Sequence, residues 1–183
     1  FFNRLYGWSI TTENLVITNG GQTAFFFLIN LLAGNKQGQK RHVLLPLVPE
    51  YIGYADQGID RDVFRAIRPN VEQLDETSFK YRVDFDAIRV DDSTAAICVS
   101  RPTNPTGNVL TDDEMGNLLQ LAQRHGTPLI VDNAYGTPFP NIVFRQIAPP
   151  WGENVVLTYS LSKLGLPGTR TGIVIGPPKI TKA

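Results

Sequence analysis

The sequence is poor in several residue types, and each shortage excludes a class of chemistry. Cysteine occurs once in 183 residues, at Cys98, so an internal disulfide is excluded. That thiol lies in the apolar run Ala95-Ala-Ile-Cys-Val99 and reads as a buried core residue. It points to a reducing, cytoplasmic setting. Histidine occurs only at His42 and His125, without partners at metal-ligand spacing, so no metal centre is expected. His125 falls at the end of an expected helix, where it favours the helix dipole. Net charge is also absent. The 17 basic and 17 acidic residues cancel, which leaves no global attraction to nucleic acid or to an anionic membrane. The longest apolar run, Ala24-Phe-Phe-Phe-Leu-Ile29, resumes after Asn30 as Leu31-Leu-Ala33. It is well short of the roughly 20 residues that span a bilayer. There is no repeat, low-complexity tract or signal-peptide layout.

What is present reads as one α/β domain over residues 1–183 with enough apolar content, 42%, for a sizeable core. Strands are expected at 15–18, 43–45, 63–67, 95–100, 128–132, 154–159 and 172–175. Helices are expected over 22–33 and from about 112 to 125, with a short one near Glu50 carrying Tyr51 and Tyr54. Thr111-Asp-Asp-Glu114 has the form of a capping box, with Leu110 and Met115 placed as a staple. Residues 69–83 are polar and read as an irregular surface loop. Alternation of this kind predicts a three-layer α/β/α domain with a mostly parallel sheet. The chain opens on what reads as the tail of a helix already under way, Phe1-Phe-Asn-Arg-Leu5, and is expected to be a piece of a longer protein.

In such folds ligands sit outside the carboxyl ends of the strands, and four unusual segments fall there. Gly20-Gly21-Gln22-Thr23 lies between a strand and a helix start, where free backbone N–H groups can cradle phosphate; taken alone it also reads as a plain helix cap. Asn104 precedes Pro105 in a tight loop, a candidate cis bond, and alone reads as a simple turn. Asp132 ends a buried strand, where a carboxylate is costly unless it meets a cation; a turn-capping aspartate is the equal alternative. Tyr135 follows three residues on, as a hydrogen-bonding or a packing tyrosine. Ser160-Leu-Ser162-Lys163, with Gly168-Thr-Arg170 close behind, puts an amine beside two hydroxyls and a guanidinium. The amine can form a Schiff base, and the other groups can hold a phosphate dianion. Tyr51 can stack on a flat heteroaromatic ring, although core packing is the ordinary reading of one tyrosine.

Taken together, Thr18-Asn-Gly-Gly-Gln-Thr-Ala24, Asn104-Pro-Thr-Gly107, Asp132-Asn-Ala-Tyr135 and Ser160-Leu-Ser-Lys163 with Gly168-Thr-Arg170 resemble the class I/II aminotransferases, pyridoxal-phosphate enzymes of fold type I. The resemblance runs along the whole chain in order. It implies that Lys163 forms the Schiff base and that Asp132 pairs with the pyridine nitrogen. It places Tyr135 and Asn104 on the ring oxygen, Asn104 also on the substrate carboxylate, and Tyr51 against the ring. Gly21 and Gln22 through their backbone, with Ser160, Ser162 and Arg170, would hold the phosphate. Many relatives have serine where this chain has Gly21, so one phosphate-binding hydroxyl is expected to be missing. Partial burial and a cationic ring beside Lys163 are expected to bring its pKa toward neutrality.

Three strings, Pro49-Glu-Tyr-Ile-Gly-Tyr-Ala-Asp56, Cys98 to Val109 and Ser160 to Gly168, carry a closer likeness to the branch of the family that pairs valine with pyruvate. Transamination between an aliphatic amino acid and a 2-oxo acid is the implied activity, in a cytoplasmic homodimer. The chain would then be the cofactor-binding large domain, lacking an N-terminal segment and a small C-terminal domain, and inactive by itself. Two rivals share the lysine and the aspartate: the effector domain of a transcription regulator, and a lyase using the same cofactor.

Overall fold

In the computed structural model, which describes residues 1–183, the chain starts with a short helix α1 (Phe2–Tyr6), strand β1 (Leu15–Asn19) and helix α2 (Gly21–Leu32). A hairpin follows, β2 (Gly34–Lys36) and β3 (Gln39–Leu45), then β4 (Phe64–Ala66), β5 (Asn70–Gln73), β6 (Phe79–Arg82) and β7 (Thr94–Ser100). Helix α3 (Asp112–Arg124), β8 (Leu129–Asp132), β9 (Val155–Ser160), β10 (Thr171–Ile175) and helix α4 (Pro178–Thr181) complete the chain. Eight strands form one sheet in the order β1-β10-β9-β8-β7-β3-β2, with β4 also paired to β3. Its centre is parallel, β4 on β3, β3 on β7, β7 on β8 and β8 on β9. Antiparallel β10 lies between β1 and β9, and β2 runs against β3. The mostly parallel sheet expected from the alternation is thus a mixed one with a parallel core.

All seven residues of β7, all four of β8 and all six of β9 are buried, because both sheet faces are covered. Alternate side chains go to opposite layers, as the two-residue period of a strand requires. Ile97, Val99, Leu129, Val131, Val155 and Leu157 pack with Met115, Leu118 and Ala122 of α3. Ala96, Cys98, Ile130 and Val156 face Ala24, Phe25, Leu28 and Ile29 of α2. Cys98 is buried among them, as expected. No helix is long and apolar enough to cross a membrane.

The capping box at α3 forms as its sequence implies: Thr111 Oγ1 accepts from the Glu114 amide, and Glu114 accepts from the Thr111 amide. Leu110 and Met115 on either side of it both enter the core. One expectation fails. Residues 69–83 are not an irregular loop, because β5 and β6 form an antiparallel hairpin apart from the main sheet. Its turn is held locally, with Asp75 Oδ1 accepting from the Thr77 and Ser78 amides at 2.8 and 2.9 Å. An Arg82–Glu72 ion pair at 2.5 Å links the two strands. Polar side chains on both strands removed the apolar signal by which a strand is usually read. The β2–β3 hairpin was also missed. Gln37 and Gly38 join it with φ of 52° and 83°, the two-residue turn with positive φ at both positions that suits strand twist.

Candidate functional site

Because β10 runs antiparallel to both neighbours, the carboxyl ends of β1, β9, β8, β7 and β3 share one rim with the start of β10. A cavity of about 340 Å³ opens there, within the range of small-ligand sites. All ten residues singled out in the sequence line it: Gly21, Gln22, Tyr51, Asn104, Asp132, Tyr135, Ser160, Ser162, Lys163 and Arg170.

One end suits an anion. Helix α2 starts at the rim with Gly20 as its N-cap and no side chain capping it. Its first amides have no carbonyl one turn back to bond, and the helix dipole adds positive potential there. Arg170 adds a guanidinium, with Nη1 donating to Ser162 Oγ at 3.2 Å. Ser160 Oγ accepts from the Ser162 amide at 3.2 Å, which aims this 3₁₀ turn (Leu161–Leu164) at the same spot. Gly20 has φ +88°, and a Cβ there would collide with the Arg170 guanidinium. Gly20→Ala is therefore expected to displace Arg170 and weaken binding of inorganic phosphate about tenfold, the equivalent of one charge-assisted hydrogen bond. Calorimetric titration would measure it, and unchanged affinity would detach Gly20 and Arg170 from the anion end.

The other end suits a cation. Asp132 is 9% exposed and no basic side chain pairs with it. Burial raises its pKa, against the opposing effect of the Tyr54 hydroxyl and the Ala134 amide. Tyr54 donates to Oδ2 at 2.7 Å, and the Ala134 amide donates to Oδ1 at 2.8 Å. Asp132 thus also caps the turn after β8, so both readings of this residue hold at once. Beside it, Thr158 lines the cavity with its hydroxyl buried, close enough to Asp132 to lower the carboxyl's pKa but without a hydrogen bond of good geometry. An orphaned buried hydroxyl on a cavity wall is a place for a ligand atom.

Between the ends lies Lys163, its Nζ 5.4 Å from the centre of the Tyr135 ring, within cation–π range. Tyr51 closes one side and accepts from Gln22 Nε2 at 3.3 Å. The Asn104–Pro105 bond is cis, as anticipated. Lys163 departs from expectation in one respect. It is exposed, because the turns Leu161–Leu164 and Pro167–Thr169 project from the rim and no other segment of the chain covers them. The partial burial expected of it is not supplied by these residues.

Several lining groups escaped the sequence reading. Thr158 and Ser100 lie inside buried strands and look like ordinary strand residues. Tyr54 and Glu50 stand behind Asp132 through contacts formed only by the fold. The signal for Glu50 was its place in the apolar stretch before Tyr51, where an acid is unexpected.

The complement of this cavity is a flat molecule with an anionic group at one end, a cationic ring atom at the other and an electrophilic carbon within reach of an amine. Pyridoxal 5′-phosphate meets that description, and the uncapped helix start, the unpaired Asp132 and the orphaned Thr158 hydroxyl all fit it.

Comparison with known proteins agrees. The family model for aminotransferase class I and II matches residues 1–183. The valine–pyruvate aminotransferase of Escherichia coli (strain K12) is 56% identical over 178 residues, covering 97% of this chain and 43% of that protein. The crystal structure of valine-pyruvate aminotransferase from Salmonella typhimurium LT2 superposes with a TM-score of 0.91 at 51% identity, covering 99% of this chain and 45% of that one. An aspartate aminotransferase from Thermotoga maritima shares the fold at TM-score 0.76 and 22% identity, with 99% and 47% covered. The chain therefore spans less than half the length of these relatives. The matched family is pyridoxal-phosphate-dependent, in accord with the cavity. The chain belongs to the class I and II aminotransferases.

Proposed function

We propose that the protein transfers the amino group of valine to pyruvate, giving 2-oxoisovalerate and alanine, and that residues 1–183 are its cofactor-binding large domain. The observation that carries the reading is the convergence of Lys163, Asp132 and the anion-binding end on one cavity. The 56% identity to a valine–pyruvate aminotransferase supports the substrate pair and favours transamination over the regulator and lyase readings.

When bound, pyridoxal phosphate supplies an aldehyde for covalent capture of an amine and a ring that accepts electrons from the substrate α-carbon. Lys163, the lysine that lines the cavity, would hold the aldehyde end of the cofactor. The same amine would serve as the base that moves a proton at the substrate α-carbon. Asp132 would keep the ring nitrogen protonated by offering it a buried carboxylate. Tyr135 and Asn104 would hydrogen-bond the ring oxygen, Asn104 would also orient the substrate carboxylate, and Tyr51 would lie against the ring. Gly21 and Gln22 amides, Ser160, Ser162 and Arg170 hold the phosphate and so fix the ring relative to Lys163.

A second subunit and the remaining domain are proposed to complete the carboxylate clamp in a cytoplasmic homodimer. Residues 1–183 alone are then expected to bind the cofactor without sustained turnover. Incubating the full-length enzyme with valine and pyruvate is expected to release equal amounts of 2-oxoisovalerate and alanine. Release of carbon dioxide or ammonia instead would overturn the transaminase reading in favour of a lyase.

A further inference from the structure

Asp132 and three oxygen-bearing side chains behind it, from three separate segments in all, form an unbroken chain. Tyr54 Oη donates to Asp132 Oδ2 at 2.7 Å. Tyr54 Oη and Ser100 Oγ lie 3.0 Å apart, and either could donate. Ser100 Oγ donates to Glu50 Oε2 at 2.6 Å, while the Ser100 amide donates to Oε1 at 3.0 Å. Tyr54 and Ser100 are buried, at 2% and 3% exposure, and the chain ends in a carboxyl at each side.

Counting hydrogens shows what this arrangement holds. Each hydroxyl brings one hydrogen. If both carboxyls are ionised, two hydrogens must serve three oxygen–oxygen contacts, and the Tyr54–Ser100 contact sets two lone pairs against each other without water. One added proton satisfies all three contacts. On Glu50 it gives donation from Glu50 to Ser100, Ser100 to Tyr54 and Tyr54 to an ionised Asp132. On Asp132 it gives the same three bonds reversed and an ionised Glu50.

We propose that Glu50, Ser100 and Tyr54 are positioning residues that form a proton wire, so that Asp132 and Glu50 share a single proton which moves to Glu50 when a cation occupies the site. The balance is internal. Asp132 passes its proton to the Tyr54 oxygen, Tyr54 passes its own to Ser100, and Ser100 passes its own to Glu50. The net change is a carboxylate at Asp132 and a carboxylic acid at Glu50, with no proton exchanged with solvent. In the empty site the wire spares the protein a buried, unpaired Asp132 carboxylate. In the loaded site it returns that charge.

The ionisation of the groups agrees with this. Burial pushes the Glu50 carboxyl up to about 7, with the Ser100 hydroxyl and amide opposing and the Asp132 charge reinforcing the rise. The titratable groups facing the pair are Tyr54 from the turn after Glu50 and Cys98 from β7, both raised by burial and neutral in this range. The inference rests on Asp132 facing the ring nitrogen, as proposed above, but its first test does not need the cofactor.

Infrared titration of the cofactor-free protein across about pH 5 to 9 reads the shared proton directly. The wild type is expected to show one carboxylic-acid band that persists to neutral pH. Glu50→Gln, whose amide N–H replaces the added hydrogen, should abolish it near pH 7. Tyr54→Phe, which keeps the ring packed on Phe25, should resolve it into two independent titrations. Ser100→Ala cuts the same wire and serves if Glu50→Gln does not fold. Titration with pyridoxal phosphate adds a second reading: affinity stays flat over the neutral range in the wild type and rises with pH in Tyr54→Phe. Absence of an acid band in the wild type, or a band that titrates identically in Tyr54→Phe, would overturn the wire. Failure of the proposed function has a different signature, namely no Lys163-dependent absorbance on adding the cofactor.

Discussion

Lys163→Ala is expected to lose the near-visible absorbance that appears when pyridoxal phosphate is added, and to lose turnover by at least about 10⁴-fold. The size of the effect follows from two roles held by one amine. It is the only lysine amine lining the cavity, so without it the aldehyde has no Schiff-base anchor. In the proposed reaction it is also the base that carries a proton between two carbons. Tyr135, the aromatic against which Lys163 rests, carries a phenol, which cannot form a Schiff base. Noncovalent binding should survive in weakened form, because the α2 amides, Ser160, Ser162 and Arg170 do not depend on Lys163. Absorbance titration separates the two outcomes. A band unchanged in Lys163→Ala would mean that another amine is used and would remove the basis of the proposed function.

Arg101→Ala is expected to destabilise the domain by about 3–5 kcal/mol, measured by urea unfolding at unchanged m-value. Arg101 is 2% exposed and reaches three separate segments. Its Nε donates to the Leu110 carbonyl at 2.9 Å, Nη1 to the Ala148 carbonyl at 3.2 Å, and Nη2 to Asp112 Oδ1 at 2.6 Å. Removing it leaves a cavity and the buried Leu110 carbonyl without its donor, which costs about 1–3 kcal/mol, while water can reach the carbonyl of exposed Ala148. The Asp112 contact contributes less, since that carboxylate is 76% exposed and water can replace the guanidinium. Arg101→Lys should recover only part of the loss, because one ammonium on a flexible stem cannot serve three directions at once. Arg101 also fixes the loop that presents Asn104, so cofactor affinity should fall along with stability. A loss under about 1 kcal/mol would show that the loop is held by its neighbours instead.

Much of the site was legible because its parts are local strings. Gly20-Gly21-Gln22, Asn104-Pro105, Asp132 to Tyr135, and Ser160 to Arg170 each combine a break in regular structure with residues of unusual chemistry. The alternation of buried strands and helices then placed them at one rim. The β5–β6 hairpin was not legible, since it is held by a turn and an ion pair rather than by an apolar stripe. Nor was the exposure of Lys163, which depends on what packs over a turn and not on the turn's own sequence.

The order of residues by itself determined the layered α/β fold, the two ends of helix α3 and the set of groups that can meet a phosphate, an aldehyde and a ring nitrogen. Those features depend on period, capping and turn chemistry over a few neighbouring positions. Only the tertiary structure decided that Asp132 shares its burial with Tyr54, 78 residues away, that Ser100 reaches Glu50 across 50 residues, and that Arg101 ties Ala148 to the start of α3. These are contacts between side chains far apart along the backbone. Their energy comes from being taken out of water together, and no local pattern records which distant partner will be buried beside which.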